Sequence, residues 1–194
     1  LLENMITQDI QRGEGLCVVD LHGELVENIL NLIPEERIKD VIYFDPADTE
    51  YDMGFNILEI DDPKQKHLTV SGVMGIFSKI WANAWNSRIE YILNNAILAL
   101  LDTPGTTILS IQRMLLDKDY RQMIVKNLKD KVLKSFWVND YEEWRDKYQD
   151  EAVTPIQNKI GQFISTSIVR NIIGQPKSTI NISDIMNRGK ILLV

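Results

Sequence analysis

The sequence predicts an α/β protein whose parallel sheet is interrupted by an all-helical insertion, and three observations carry that prediction. Short apolar runs at residues 16–19 and 41–44 each stop at an acid, Asp20 and Asp45. From Asp61 to Pro176 apolar residues recur at helical spacing instead. After Pro176 the α/β pattern returns and ends in a third strand, residues 190–194, apolar from Ile191 onward. The expected layout is an α/β layer over residues 1–60 and 177–194, with an all-α insertion over 61–176.

The elements follow in order. Leu1, Leu2, Met5, Ile6 and Ile10 have helical spacing, and Gly13 and Gly15 close that helix. Leu16, Cys17, Val18 and Val19 are too few for a stable helix and fit an interior strand of a parallel sheet. Leu25, Ile29, Leu30 and Leu32 give a second helix that Pro34 ends, and Val41, Ile42, Tyr43 and Phe44 a second strand. Two strand-then-acid units joined by a helix make a crossover, which predicts that these strands are parallel neighbours.

Within the insertion, Ile89, Ile92, Leu93, Ala96, Ile97, Leu100 and Leu101 trace one helix face, ended by Thr103-Pro104-Gly105. Thr106 or Thr107 is the expected cap of the next helix and Asp117 that of the one after. Further helical pattern covers residues 131–148, and Thr154-Pro155 opens a last helix reaching Ile173. Beyond Pro176, residues 179–182 read as extended, with Ser183 capping a short helix before the final strand.

Composition sets bounds on function. With 194 residues, 44% hydrophobic and 25% charged, the chain can bury a core as a globular protein does. No stretch reaches the roughly 18 apolar residues of a membrane span. The single cysteine, Cys17, cannot form a disulfide within the chain and reads as a small hydrophobe in a reducing compartment. A net charge of −7 argues against the whole surface being a nucleic-acid footprint, while leaving room for a local basic channel. The start at Leu1, without methionine or a leader, and the apolar final strand lead us to expect a piece of a longer protein.

The richest chemistry lies in Asp20-Leu21-His22-Gly23-Glu24, where the first strand gives out. Ligands of open α/β sheets bind at the carboxyl ends of strands, so these side chains are candidates for function. An Asp in that place is equally a turn former or N-cap, and a lone His a solvated side chain. The tryptophans Trp81, Trp85, Trp137 and Trp144 all fall in the helical block, where packing is the expected role and base stacking the alternative. Lys126, Lys129, Lys131 and Lys134 could meet phosphates, or form a solvated face beside Glu142, Glu143, Asp146 and Asp150. Gly174-Gln175-Pro176-Lys177-Ser178-Thr179 imitates a phosphate loop, but Pro176 stands where G-x-x-x-x-G-K-[ST] needs glycine. No spacing of histidines, cysteines or acids predicts a metal site.

The opening helix, Val18-Val19-Asp20-Leu21-His22-Gly23-Glu24, residues 41–46, the Gly54-Phe55-Asn56-Ile57-Leu58 link, the helical insertion and Gly189-Lys190-Ile191-Leu192-Leu193-Val194 together resemble the central part of a HerA/TraG/TraD-type ATPase. The resemblance implies a partial RecA-like parallel sheet with an all-α insertion subdomain, between a Walker A loop upstream and a Walker B acid downstream. It implies ATP and Mg²⁺ as cofactors of the full-length protein, with Asp20 and Glu24 in catalytic roles and His22 and Gly23 against the cofactor. The family's turn commonly has proline where this chain has Leu21. The implied activity is ATP-driven DNA translocation in conjugation or type IV secretion. A homo-hexamer would carry DNA through its channel, with relaxosome and secretion-channel proteins as partners. The implied place is the cytoplasm at the inner face of the membrane, held there only by segments outside this chain. The rival reading is a non-catalytic interaction module whose helical block binds a protein partner. A third is an unrelated nucleotide-binding α/β enzyme such as a small kinase.

Overall fold

Three parallel strands, β1 (Leu16–Val18), β2 (Val41–Tyr43) and β3 (Ile191–Leu193), make one sheet in the order β1-β3-β2. The structure is a computed structural model that describes residues 1–48, 50–51, 53–60 and 62–194, the side chains at 144–146, 149 and 150 excepted. Asp61 and the side chains of Trp144, Asp146 and Asp150, named above, therefore lie outside the described residues. The protein is α/β: a small parallel sheet with a helical insertion between its second and third strands. It divides into two units, Leu1–Met53 with Thr179–Val194, and Gly54–Ser178.

In the first unit the expectation that β1 and β2 are neighbours is corrected. Ile191 pairs with Leu16 on one side and with Val41 on the other, so β3 separates them. All three residues of β3 are buried, whereas β1 and β2 each carry an exposed residue. The strand that is apolar on both faces takes the centre, where both faces are covered.

Two helices, α1 (Leu2–Gln11) and α2 (Glu24–Leu30), pack Ile6, Ile10, Val26 and Ile29 with Val18, Ile191 and Leu193. Side chains alternate across a strand, so Cys17 points away from this core and is exposed, as is Val19. The expectation of an interior strand with a buried thiol is corrected accordingly: β1 lies at the sheet's edge among the described strands.

At the amino ends of the strands Arg37 acts as a clamp. Its guanidinium donates to the carbonyls of Ile10 at 3.0 Å, Glu14 at 3.3 Å and Gly189 at 2.9 Å, and its Nε to Asp40 at 3.1 Å. Lys190 Nζ reaches the other oxygen of Asp40 at 2.8 Å. Gly15 and Gly189 cross here so closely that a Cβ on Gly15 would sit 2.6 Å from the Gly189 Cα. The helix Ile182–Asn187 begins earlier than expected and is capped by Asn181, not Ser183: the Asn181 Oδ1 accepts from the Asp184 N–H at 2.9 Å. The segment before it is not a strand.

The second unit is helical. Its helices are α3 (Lys66–Ile80), α4 (Ser87–Leu101), α5 (Ser110–Leu116), α6 (Lys118–Asn127), α7 (Lys131–Ser135), α8 (Tyr141–Lys147), α9 (Thr154–Ser165) and α10 (Ser167–Ile173). Helix α4 runs through the middle, burying Ile92, Leu93, Ala96, Ile97 and Leu100 against residues of α3, α5, α6 and α7. Asparagine and aspartate set the starts: Asn86 accepts from the N–H groups of Arg88 and Ile89, Asp117 from Tyr120, and Asp130 from Val132 and Leu133.

Other expected boundaries move. Thr106 does not cap α5; its hydroxyl donates back to the Leu100 and Thr103 carbonyls at the end of α4. The last helix is broken at Thr166, and π-helical turns at Phe136–Asp140 and Gln149–Val153 divide the stretch before it. Residues 54–60 belong with the helices because buried Asn56 donates to the carbonyls of Thr106 and Pro176 and accepts from the Leu58 N–H. Among the described residues no helix is long and apolar enough to cross a membrane.

Candidate functional site

The carboxyl ends of the three strands lie along one sheet edge, and ladder bonds fix their residues there. The Asp20 N–H donates to the Val194 carbonyl at 2.8 Å, and the Phe44 N–H to the Leu193 carbonyl at 2.7 Å. Asp20 and Asp45, which the sequence puts after separate apolar runs, thus end strands that flank the same central strand.

Asp20 builds the turn. Its Oδ1 accepts from the His22 N–H at 3.1 Å and its Oδ2 from the Leu25 N–H at 2.8 Å, so both oxygens hold the backbone that leads into α2. The His22 N–H holds the Asp20 carboxyl below the usual carboxylate range, against a desolvation that pushes it up; the Leu25 and Val26 N–H groups and the His22 charge add to the lowering. Gly23 completes the turn at φ +81°, a left-handed conformation that costs glycine little. With the turn fixed, His22 and Glu24 stand exposed, Glu24 in the first turn of α2, and Leu21 is 93% exposed.

The same edge holds a group that sequence reading missed. Tyr43 is 46% exposed, and partial desolvation of its phenol pushes it up, with the carboxylates of Asp45, Glu27 and Asp48 adding to the rise. Tyr43 was hidden inside an apolar run, and only its neighbour Asp45 signalled a polar surround. Asp45 itself accepts from the Ala47 N–H at 2.8 Å and Asp48 from the N–H groups of Glu50 and Tyr51, so these acids also shape turns.

The edge is acidic, and among its described residues His22 is the one that can carry positive charge. No group of three or more described His, Cys, Asp or Glu is placed to hold a metal ion. Phosphates need backbone N–H cradles or cations, and here the N–H groups of His22 and Leu25 are taken by Asp20. On their own these residues offer phosphate neither of those two N–H donors. What they do is hold an acidic turn rigidly at the mouth of a parallel sheet.

In the helical unit Trp81 and Trp137 are buried, and Trp85 is half-buried and packed against the core. Trp81 stacks on Phe77 with ring centroids 4.2 Å apart. The Trp137 Nε1 is buried without a hydrogen-bond acceptor among the described residues. Lys126, Lys129 and Lys131 are exposed, and Lys134 is half-exposed. The imitation phosphate loop forms no cradle: Gly174 ends α10, where a Cβ would meet the Arg170 carbonyl oxygen at 2.5 Å. Glu59, not foreseen, binds the Ser178 N–H at 2.7 Å and Lys177 at 3.2 Å, and the Ser178 N–H first of all holds its carboxyl below the usual range. No family model, no curated protein and no solved structure matches the chain.

Proposed function

We propose that this chain is the central part of a HerA/TraG/TraD-type P-loop ATPase, a RecA-like motor that moves DNA in conjugative or type IV secretion transfer. One observation carries the reading. A strand that follows a helical insertion slots between two strands that precede it, and the acid-bearing ends of those two strands flank it on one edge. In the full-length protein ATP and Mg²⁺ would be held by a phosphate loop outside these residues. Asp20 is then a positioning residue that fixes the turn through His22 and Leu25, and Glu24 is the exposed acid that the turn presents toward nucleotide or a neighbouring subunit. The assembly is a homo-hexamer threaded by DNA at the cytoplasmic face of the membrane, with relaxosome and secretion-channel proteins as partners.

The test is hydrolysis of ATP by the protein of the complete reading frame, with and without DNA, beside residues 1–194 alone. We expect DNA-stimulated turnover in the complete protein, sharply reduced by Glu24→Gln, and none in residues 1–194. Turnover by residues 1–194, or a complete protein with neither G-x-x-x-x-G-K-[ST] nor ATP hydrolysis, overturns the reading. The second outcome leaves the interaction module, which has its own observation in its favour: an open groove between α3 and α4.

A further inference from the structure

Helix α3 is unusual for a surface helix. Between Lys66 and Lys79 it carries no formal charge beyond what His67 can gain, and it is apolar on more than its buried face. Val70, Val73 and Phe77 face the core, while Leu68, Ile76 and Ile80 are 75%, 49% and 56% exposed. A solvent-facing helix surface ordinarily carries charge, and one apolar all round is ordinarily covered.

Gly72 and Gly75 sharpen the point. A Cβ on either would meet nothing within 4 Å, so neither is required by packing inside this chain, and neither has a positive φ. Mid-helix glycine costs stability relative to alanine, which is offset when another backbone must come close. Beside this face lies an open cavity of about 740 Å³ between α3 and α4, walled by Ser71, Met74, Gly75, Trp85, Glu90 and Tyr91. That is room for the side chains of one helix face, and the smallness of Ser71 and Gly75 lets a helix backbone approach. Glu90 is exposed on the rim and has no ion-pair partner among the described residues.

We propose that the groove between α3 and α4 receives an amphipathic α-helix of a protein partner, its buried face small and apolar and its edge carrying a lysine or arginine that meets Glu90. Charge decides the occupant. A second copy would bring another chain of net charge −7 up to Glu90, the one acid lining the groove, whereas a basic helix is complementary to that carboxylate. Anchors at i, i+3, i+4 and i+7 are what such a groove reads. The inference does not depend on the motor reading.

The experiment selects helical peptides from a displayed library, randomised at those four positions and at one flanking position, on the intact chain. Expected winners have small or apolar anchors and a flanking lysine or arginine. Gly75→Leu, which fills the groove while remaining compatible with the helix, should weaken their binding about tenfold or more with the circular dichroism spectrum unchanged. Glu90→Lys should invert the preference toward an acidic flank. No enrichment, winners without a basic bias, or binding indifferent to Gly75→Leu each overturns the proposal. So does self-association in sedimentation that Gly75→Leu removes, since that assigns the groove to a second copy.

Discussion

The guanidinium of Arg37 and the carbonyl of Gly189 meet at 2.9 Å across 152 positions of sequence. The same guanidinium holds the end of α1 and the turn into β1, so one side chain ties together the chain stretches that enter the sheet from its amino end. Arg37→Ala takes the guanidinium from these carbonyls, of which Ile10 keeps the Gly13 N–H, and leaves Asp40 without one of its two cations. It should destabilise the α/β unit by about 2–3 kcal/mol in urea unfolding. Arg37→Lys, a point charge in place of a fork, should recover only part of that.

Asp40 predicts a pH dependence. Lys190 first, then Arg37, holds its carboxyl below the ordinary value of 3.8, against a desolvation that raises it. A group whose folded value is depressed contributes stability that is present above the unfolded value and is lost as pH falls through the folded one. Asp20 acts in the same direction through its backbone N–H bonds. Urea midpoints should therefore fall below pH 3.8, and Asp40→Asn should be less stable than the parent at neutral pH, the gap closing as acid protonates Asp40 in the folded parent.

Two glycines should respond to alanine with opposite sign. Gly23 sits at φ +81°, so Gly23→Ala should cost about 1 kcal/mol and loosen the turn that presents Glu24. Gly72 is helical with open space around its absent Cβ, so Gly72→Ala should raise stability by about 0.5–1 kcal/mol. Thermal unfolding of both variants checks the pair, and equal signs would contradict the backbone account.

The strand positions were legible in the sequence, the sheet order was not. Leu16, Val41 and Ile191 all open short apolar runs bounded by polar residues, a local signal. Strand pairing depends on which run is buried on both faces, and that is set by helices packed from elsewhere. The edge position of Cys17 has the same origin, since alternation places it opposite the α1 and α2 core. At the candidate site the acids Asp20 and Asp45 stood out because each ends an apolar run. That Asp20 spends both oxygens on backbone N–H groups was foreshadowed only by the known taste of aspartate for turns. The groove between α3 and α4 escaped notice because its sign is a missing charge.

Arg121 predicts a strong coupling in the helical unit. It is buried, donates to the Met114 and Leu115 carbonyls, and pairs with Glu142 at 2.7 Å. Arg121→Ala should cost about 3–5 kcal/mol by taking a buried guanidinium away from the Met114 carbonyl and from Glu142. A double-mutant cycle with Glu142→Gln should return a coupling of about 1–3 kcal/mol, and additivity of the two changes would refute it.

The placement of β3 between β1 and β2 has a temporal consequence. A ribosome making this chain delivers the two outer strands first, then the whole of Gly54–Ser178, and only afterwards the strand that joins them. The bundle, complete in itself, is free to fold early, as N-terminal and contiguous units do. The α/β layer must wait with its halves unzipped until translation is nearly past it.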